Sequence, residues 1–488
     1  MGFKNIVLFC IFILAFSSCK RDFFEESGAG ELSFSNDSIL FDTVFASIGS
    51  STKKFVVYNR NTNPVTIEKI RLVNIDPNNV YRINIDGQPI ENNQNIKIAS
   101  EDSIFVFIEV TINPNSASLP FLVTNQLEFT TANLSQTVEL VAYGQNAHFY
   151  TPMDNLFISD EDTLNFNYFS ISENTTWTND LPHVIYGYVI VEPGATLIIE
   201  EGTHIYFHQN SGLIVGNPLF GSNNDGGTLK VNGQYNNEVI FQGDRLEDWY
   251  ADAPGQWSQI WMTQGSVNNE INYAIIRNGT VGLKVDTLGN SLNHTLKLSN
   301  SIIENMSDIG LFAQGSYITG ENNVIKNCGR YALVLNIGGD YDFTHCTFGN
   351  FYPYGGRNTP AVLMNNYYED VNGDLQIRDL NNAVFTNCII DGNLEHELEL
   401  QNSTLGSFNY LFENCLIQLA ADSSLNMYNQ QNSLKIESTM SIFENASEGD
   451  FHLSEGSKAI DAGKVTSVVF DIEGNSRDDM PDIGAYEQ

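Results

Sequence analysis

The hydrophobic positions in most of this chain form short runs in which apolar and polar residues alternate. Clear examples lie at 188–191, 196–199, 204–207 and 212–215, and turn pairs such as Pro193-Gly194 and Glu201-Gly202 separate them. Alternation with a period of two predicts β-strands, and Pro-Gly pairs mark the turns between them. Because long stretches with a 3.6-residue period are few, the pattern excludes a helical repeat.

Two phrases recur along the second half of the chain. One has a small residue followed by an apolar strand, at 282–285, 310–313, 332–335 and 361–364, so that it returns after 28, 22 and 29 residues. The other is an apolar pair followed by a polar residue and a turn residue, at 275–279, 302–306, 324–328, 343–346, 384–388 and 411–415. Repeats of this length are typical of solenoids. We therefore predict a β-solenoid of parallel strands over 184–440.

The second phrase places asparagine and cysteine at predicted corners. Asparagine side chains bond their own backbone and tolerate left-handed geometry, which suits Asn278, Asn305, Asn327, Asn387 and Asn414. We expect Cys328, Cys346, Cys388 and Cys415 to stack as small buried hydrophobes. Without a Cys-x-x-Cys pair or a histidine at ligand spacing, they indicate neither a disulfide framework nor a zinc site.

Residues 31–147 have a different pattern, with longer alternating runs at 39–41, 54–58, 67–70, 104–110 and 138–143. Strands of this length and spacing are typical of a β-sandwich, and an Ig-like domain fits them. We predict that 148–183 form a linker and N-terminal cap, because an uncovered strand edge invites aggregation, and that 441–488 form a C-terminal cap.

The first thirty residues indicate export. One basic residue, Lys4, precedes an apolar run over 6–16 that is too short to span a bilayer, which predicts a signal peptide over 1–18. The small residues before Cys19 resemble the lipobox of bacterial lipoproteins, which implies that Cys19 carries lipid and that 19–30 form a tether. The charged residues over 20–26 resemble a signal for the outer face of the outer membrane. The alternative is an ordinary secretory signal with an incidental cysteine.

Composition and net charge limit the kinds of partner that we expect. The chain has 488 residues, of which 42% are hydrophobic and 17% charged, so it can bury substantial cores. Its net charge of -36 repels phosphate backbones, which excludes nucleic acid as an expected partner. We expect a monomer whose contact with the membrane depends on the lipid.

Several motifs resemble one family. These are 191–197 (VEPGATL), 241–245 (FQGDR), 254–257 (PGQW), 459–463 (AIDAG) and 482–487 (DIGAYE). Together they resemble the right-handed parallel β-helix surface lipoproteins of Bacteroidota-type bacteria, over roughly 150–488. The resemblance implies a pectin-lyase-like fold, and 55–60 is similar to the Ig-like modules that precede such solenoids. It implies little about chemistry.

The sequence supplies no recognised catalytic site. Polygalacturonase-like hydrolases need paired aspartates and a Gly-His-Gly, and this chain lacks that tripeptide and has its single Asp-Asp pair at Asp478-Asp479, near the end. A lyase with Lys or Arg as base and Ca²⁺ on acidic ligands leaves fewer traces. Polysaccharide lyase or glycoside hydrolase therefore stays as the alternative function. Our main prediction is a surface module that binds the glycan of a polysaccharide or glycoprotein, or that has an adhesive or structural role.

The candidate glycan-binding residues lie in one acidic, aromatic segment: Asp244, Glu247, Asp248, Trp249, Tyr250 and Asp252. Aromatic faces with nearby carboxylates suit sugar stacking and hydroxyl bonding, and the same oxygens could hold Ca²⁺, although we assign no cofactor. The alternative is that Trp257 and Trp261 pack as core and the acids are merely solvated. Segment 370–374 resembles the start of a calcium loop, but its Asn372-Gly373 pair favours a hairpin tip.

Overall fold

The computed structural model describes residues 30–74, 79–90, 94–115, 120–132, 134–156, 166–217, 226–286, 293–370, 372–436 and 441–488. The predicted signal peptide and Cys19 lie outside these residues. The chain divides into two compact units, Met1–Asn146 and Ala147–Gln488. Both are built from strands, with short 3-10 turns at Asp248–Tyr250, Leu425–Met427 and Ala446–Glu448. Among the described residues, no helix is long and apolar enough to cross a membrane.

The first unit is a two-sheet β-sandwich, and the predicted strands at 39–41, 54–58, 67–70, 104–110 and 138–143 are confirmed. Its strands are β1 (Ser33–Phe34), β2 (Ser38–Phe45), β3 (Lys53–Tyr58), β4 (Val65–Leu72), β5 (Asn79–Ile85), β6 (Gln88–Pro89), β7 (Gln94–Ile98), β8 (Ser103–Ile112), β9 (Phe121–Thr131) and β10 (Leu134–Gln145). One sheet has the order β1-β3-β8-β5-β6 and the other β2-β10-β9-β4-β7. Alternate residues of β8 are buried between them. Phe55 and Phe129 meet edge to face across the sandwich, with ring centroids 6.2 Å apart.

The second unit is a solenoid of three long sheets, as the repeats predict. Sheet 1 contains β12 (Asp154–Leu156), β13 (Phe166–Ile171), β16 (Tyr188–Val191), β19 (Gly212–Val215), β22 (Ile260–Met262), β25 (Val281–Asp286), β28 (Ile309–Gln314), β31 (Tyr331–Asn336), β34 (Val362–Asn365) and β39 (Leu398–Gln401). Sheet 2 contains β14 (Thr175–Trp177), β17 (Thr196–Glu200), β20 (Thr228–Asn232), β23 (Asn269–Asn272), β26 (Leu296–Ser299), β29 (Tyr317–Glu321), β32 (Gly339–Thr344), β37 (Leu380–Thr386), β40 (Leu411–Glu413) and β42 (Gln430–Gln431). Sheet 3 contains β11 (His148–Tyr150), β15 (His183–Ile185), β18 (His204–Phe207), β21 (Val239–Gly243), β24 (Ala274–Arg277), β27 (Ile302–Glu304), β30 (Val324–Lys326), β33 (Thr347–Asn350), β38 (Ile389–Gly392), β41 (Leu416–Gln418) and β43 (Leu434–Ile436).

Each coil passes from sheet 1 to sheet 2 to sheet 3, and equivalent residues stack in register. Leu283 pairs with Leu311, Leu311 with Leu333, and Leu333 with Val362, as the first repeated phrase predicts. In sheet 2 the buried rings of Phe343, Phe385 and Phe412 stack with centroids 5.3 and 5.1 Å apart. The core is thus a column of apolar side chains inside the coils.

Residues 148–183, expected to form a linker and cap, contain β11 to β15. Of these, β13, β14 and β15 already pair in parallel with β16, β17 and β18. The parallel coils therefore begin before residue 184.

The described C-terminal segment lies against the side of the solenoid. After the hairpin of β44 (Phe443–Asn445) and β45 (Asp450–Leu453), it packs along the outer face of sheet 3. There Val324, Ile389 and Leu416 form a cluster with Phe451 and Ile483 rather than with the interior. The C-terminal segment therefore forms a lateral cover over the apolar outward-facing residues of sheet 3, and the capping role of 441–488 stays a prediction.

Candidate functional site

The acidic, aromatic segment lies in the loop between β21 of sheet 3 and β22 of sheet 1. Amide side chains hold its carbonyls: Gln256 Nε2 donates to the oxygens of Tyr250 and Ala253 at 2.6 and 2.8 Å. From the next coil, Asn278 Nδ2 donates to the oxygen of Ala251 at 2.7 Å. The loop is therefore fixed in place by the coils beneath it.

Two of the predicted acids are paired with side chains of the protein itself. Asp244 Oδ2 lies 2.7 Å from Nδ1 of His208, whose ring stacks on Tyr186 at 4.5 Å. Burial raises the pKa of Asp244, and the histidine opposes that shift. Glu247 accepts hydrogen bonds from Nε and Nη2 of Arg245 at 3.0 and 2.9 Å. The predicted set is thus divided between internal pairs and exposed groups.

The exposed groups surround Trp249. Its side chain is 86% exposed, and Asp248 beside it is exposed as well. The guanidinium of Arg245 lies 4.0 Å from the ring centroid of Tyr250, so one face of that ring is covered. Asp252 Oδ1 accepts a hydrogen bond from Asn305 Nδ2 at 3.4 Å. The loop therefore presents one open aromatic face, next to a stacked Arg-Tyr pair.

The two tryptophans that close the loop have different environments. Trp257 is 1% exposed, stacks on Phe207 with centroids 4.3 Å apart, and donates from Nε1 to the oxygen of Arg277 at 2.9 Å. Trp261 lies on the outer face of sheet 1, where it donates to Asp286 Oδ2 at 2.8 Å, with Lys284 Nζ 4.2 Å from its ring. The prediction that Trp257 is core is confirmed, whereas Trp261 is not an interior residue.

Segment 370–374 is the tip of a hairpin between β35 (Tyr367–Glu369) and β36 (Leu375–Ile377), which confirms the hairpin prediction. Asp370 Oδ1 accepts from the backbone amides of Asn372 and Asp374, and Oδ2 accepts from Gln376 Nε2. Its oxygens stabilise the turn. In the described part of the chain, no group of three or more His, Cys, Asp or Glu side chains is placed to hold a metal ion.

A cleft of about 730 Å³ that no sequence pattern predicted lies near the last coils. Leu398, Glu399 and Leu400 of β39 form one wall, and Phe408, Tyr410 and Tyr428 form another. The Tyr428 hydroxyl lies 3.3 Å from Nε2 of His396, whose Nδ1 accepts the Ala420 amide at 3.3 Å. Residues distant in sequence build this cleft. The one local signal for it in the sequence is the pair of closely spaced aromatic residues Phe408 and Tyr410.

Comparisons with known proteins are uninformative about activity. No family model and no curated protein matches the chain. A family 123 glycoside hydrolase from Clostridium perfringens, studied for glycolipid glycan hydrolysis, matches at 15% identity and TM-score 0.18, covering 24% of this chain and 30% of its own. A Porphyromonas gingivalis W83 protein of unknown function matches at 11% and 0.18, covering 30% and 59%. The E. coli chaperone DraB matches at 10% and 0.17, covering 23% and 54%. The chain thus covers under two thirds of each, and such scores support no functional argument.

Proposed function

We propose that this chain is an outer-membrane lipoprotein exposed at the cell surface, whose solenoid binds glycan. In this proposal Cys19 carries the lipid, an Ig-like sandwich spaces the solenoid from the membrane, and the coils are right-handed and pectin-lyase-like. The strong preference of parallel β connections for right-handed crossovers supports that handedness.

The observation that carries the proposal is the exposure of Trp249 on a loop whose backbone is fixed by Gln256 and Asn278. An exposed indole on a loop with hydrogen-bonded backbone can stack on the apolar face of a sugar ring. Asp248 beside it can accept hydrogen bonds from sugar hydroxyls. The net charge of -36 favours a neutral ligand over a polyanion.

The test incubates the protein with plant, algal and host polysaccharides and scores retention. Trp249→Ala with Tyr250→Ala should weaken retention by about 0.5–1.5 kcal/mol per lost aromatic contact. Tyr368→Ala, which removes an exposed ring on the 367–377 hairpin, is the matched control. Equal retention by all variants would reject this loop as the binding site.

Catalysis on a polysaccharide is the second candidate, and Asp244 favours it. A carboxyl whose pKa is raised by burial, with an imidazole 2.7 Å away, has the property that a general acid needs. The same incubations, assayed for new reducing or unsaturated ends, test this candidate. If the wild type forms product and Asp244→Asn does not, catalysis rather than binding alone would be the function of the solenoid.

A further inference from the structure

The three sheets of the solenoid do not end together. After β39, the chain adds β40 and β42 to sheet 2 and β41 and β43 to sheet 3. None of the described residues adds a strand to sheet 1 beyond β39, which pairs with β34 along its other edge. The last coil therefore has a strand-wide gap in sheet 1.

The chain that passes this gap has an irregular path. Residues 419–429 include the turn Leu425–Met427 and form no described strand. Lys435 Nζ donates to the backbone oxygens of Ala420, Ala421 and Ser423 at 2.6, 3.3 and 2.7 Å, which holds this segment in a non-strand conformation. Met427 and Tyr428 of this segment line the cleft of about 730 Å³ together with β39.

Along β39, apolar residues on the core side alternate with an acidic residue on the outer side, so an added strand would meet two different faces. Leu398 and Leu400 belong to the core side, together with Phe408, Tyr410 and Tyr428, whereas Glu399 points away from the core. Glu399 Oε1 accepts from Gln401 Nε2 at 2.6 Å, and no described cation forms an ion pair with it. Among the described residues, neither Lys nor Arg lines the cleft. Of the described residues that line the cleft, Glu399 alone is an acid or base other than histidine or tyrosine, so the charge beside this edge is negative.

We propose that this cleft binds an extended peptide segment that adds a strand to sheet 1 against β39. A strand edge offers unpaired main-chain groups, and side-chain pockets on alternate positions give specificity. Residues of the peptide that face the core side would be apolar, to pack on Leu400 and Tyr428. The intervening residues would be basic, to pair with Glu399. The partner is thus a peptide of alternating apolar and basic residues, at a site separate from the Trp249 loop.

The experiment titrates the full chain into a fluorescent peptide of alternating lysine and valine at physiological salt. Two further peptides carry N-methyl groups on all valines or on all lysines, which removes main-chain donors while keeping the charge. Because alternate residues of a strand point their amides to opposite edges, one methylated peptide should bind at least about tenfold more weakly and the other should bind normally. Equal binding of both would overturn the proposal, since only charge would then be recognised.

Two controls locate the site. Glu399→Gln should weaken binding of the lysine-valine peptide. Glu200→Gln, which changes an exposed residue on sheet 2, should leave that binding unchanged. The peptide should also slow hydrogen exchange of the amides in 398–401. If maltohexaose slows that exchange and the peptide does not, the cleft is a sugar site and the proposal fails.

Discussion

Asn387 and Lys464 exchange two hydrogen bonds across the surface of the solenoid. Asn387 Nδ2 donates to the Lys464 oxygen at 2.7 Å, and the Lys464 amide donates to Asn387 Oδ1 at 2.9 Å. The corner residue of a coil thereby mimics a strand partner for the C-terminal segment. Asn414 Nδ2 does the same for the Ala462 oxygen at 3.1 Å. The corners thus attach the lateral cover as well as turning the chain.

Asn387→Leu should destabilise the protein by about 2–4 kcal/mol, because it removes the two part-buried hydrogen bonds to the Lys464 main chain and the buried one to His345, and places Leu at positive φ. Asn432→Leu is the matched control, since Asn432 has a φ of 53° but is exposed. The control should be destabilised only by the energy of placing Leu in the left-handed conformation, about 1 kcal/mol. Chemical denaturation measures both, and equal losses would show that the side-chain hydrogen bonds of Asn387 contribute nothing.

The left-handed corners show what the sequence predicts and what it does not. All five predicted asparagines have positive φ, and the four described cysteines are buried. However, Asn278, Asn305 and Asn327 follow strands of sheet 3, whereas Asn387 and Asn414 follow strands of sheet 2. The single repeated phrase is therefore two sets of corners. Both turns need the same backbone geometry, so the local sequence cannot distinguish them.

The candidate sites were also predicted only in part from the sequence. Sequence located the 244–261 loop and the interior role of Trp257, because Pro-Gly turns and clustered aromatics are local signals. It missed the pairing of Asp244 with His208, which requires the register between coils. It also missed the cleft beside β39, because that depends on where sheet 1 stops.

Acid should destabilise the fold through His345. Asn387 Nδ2 donates to His345 Nε2 at 2.9 Å, so the ring is neutral, and burial, aided by Arg477, lowers the pKa of His345 to about 3. The unfolded state takes up a proton near pH 6.5, so this group should cost stability as pH falls from about 6.5 toward 3, by about 1.4 kcal/mol per unit.

His345→Asn tests this effect, because Asn occupies the equivalent corner at 300, 322 and 387, and His345 has a φ of 53°. As pH falls, the variant should become more stable relative to the wild type, so the unfolding free energy of the variant minus that of the wild type should increase. Using that difference cancels other groups, including His183, whose pKa burial lowers to about 4, and Asp391, whose pKa burial raises to about 7. A difference that is constant with pH would contradict the prediction.

Arg357→Met should cost about 3–5 kcal/mol, because it leaves the Glu397 carboxylate buried and unpaired. The two side chains are 0% exposed, and Arg357 Nη1 lies 2.8 Å from Glu397 Oε2. Arg330→Met provides the comparison, since its bond to Asp308 is exposed and should contribute at most about 1 kcal/mol. Thermal or urea unfolding that ranks the two variants equally would reject the assignment.

Cys19→Ala should release the protein from the membrane fraction, because the proposal makes this thiol the lipid attachment point. Growth with labelled fatty acid followed by fractionation measures both properties. Cys328→Ala, which changes a buried core cysteine, should keep the label. Label that persists in Cys19→Ala would show that the chain is not a lipoprotein anchored at this residue.

Trp257→Ala and Trp249→Ala should separate the scaffold from the surface of the same loop. Trp257 is stacked on Phe207 and buried, so truncation should cost about 3–5 kcal/mol and loosen the adjacent coils. Trp249 is 86% exposed, so its truncation should change the unfolding free energy by less than about 0.5 kcal/mol. Differential scanning calorimetry with hydrogen exchange at β21 and β24 compares them. If Trp249→Ala proves as destabilising as Trp257→Ala, the indole packs against the fold in solution, and the loop loses its role as an open aromatic platform.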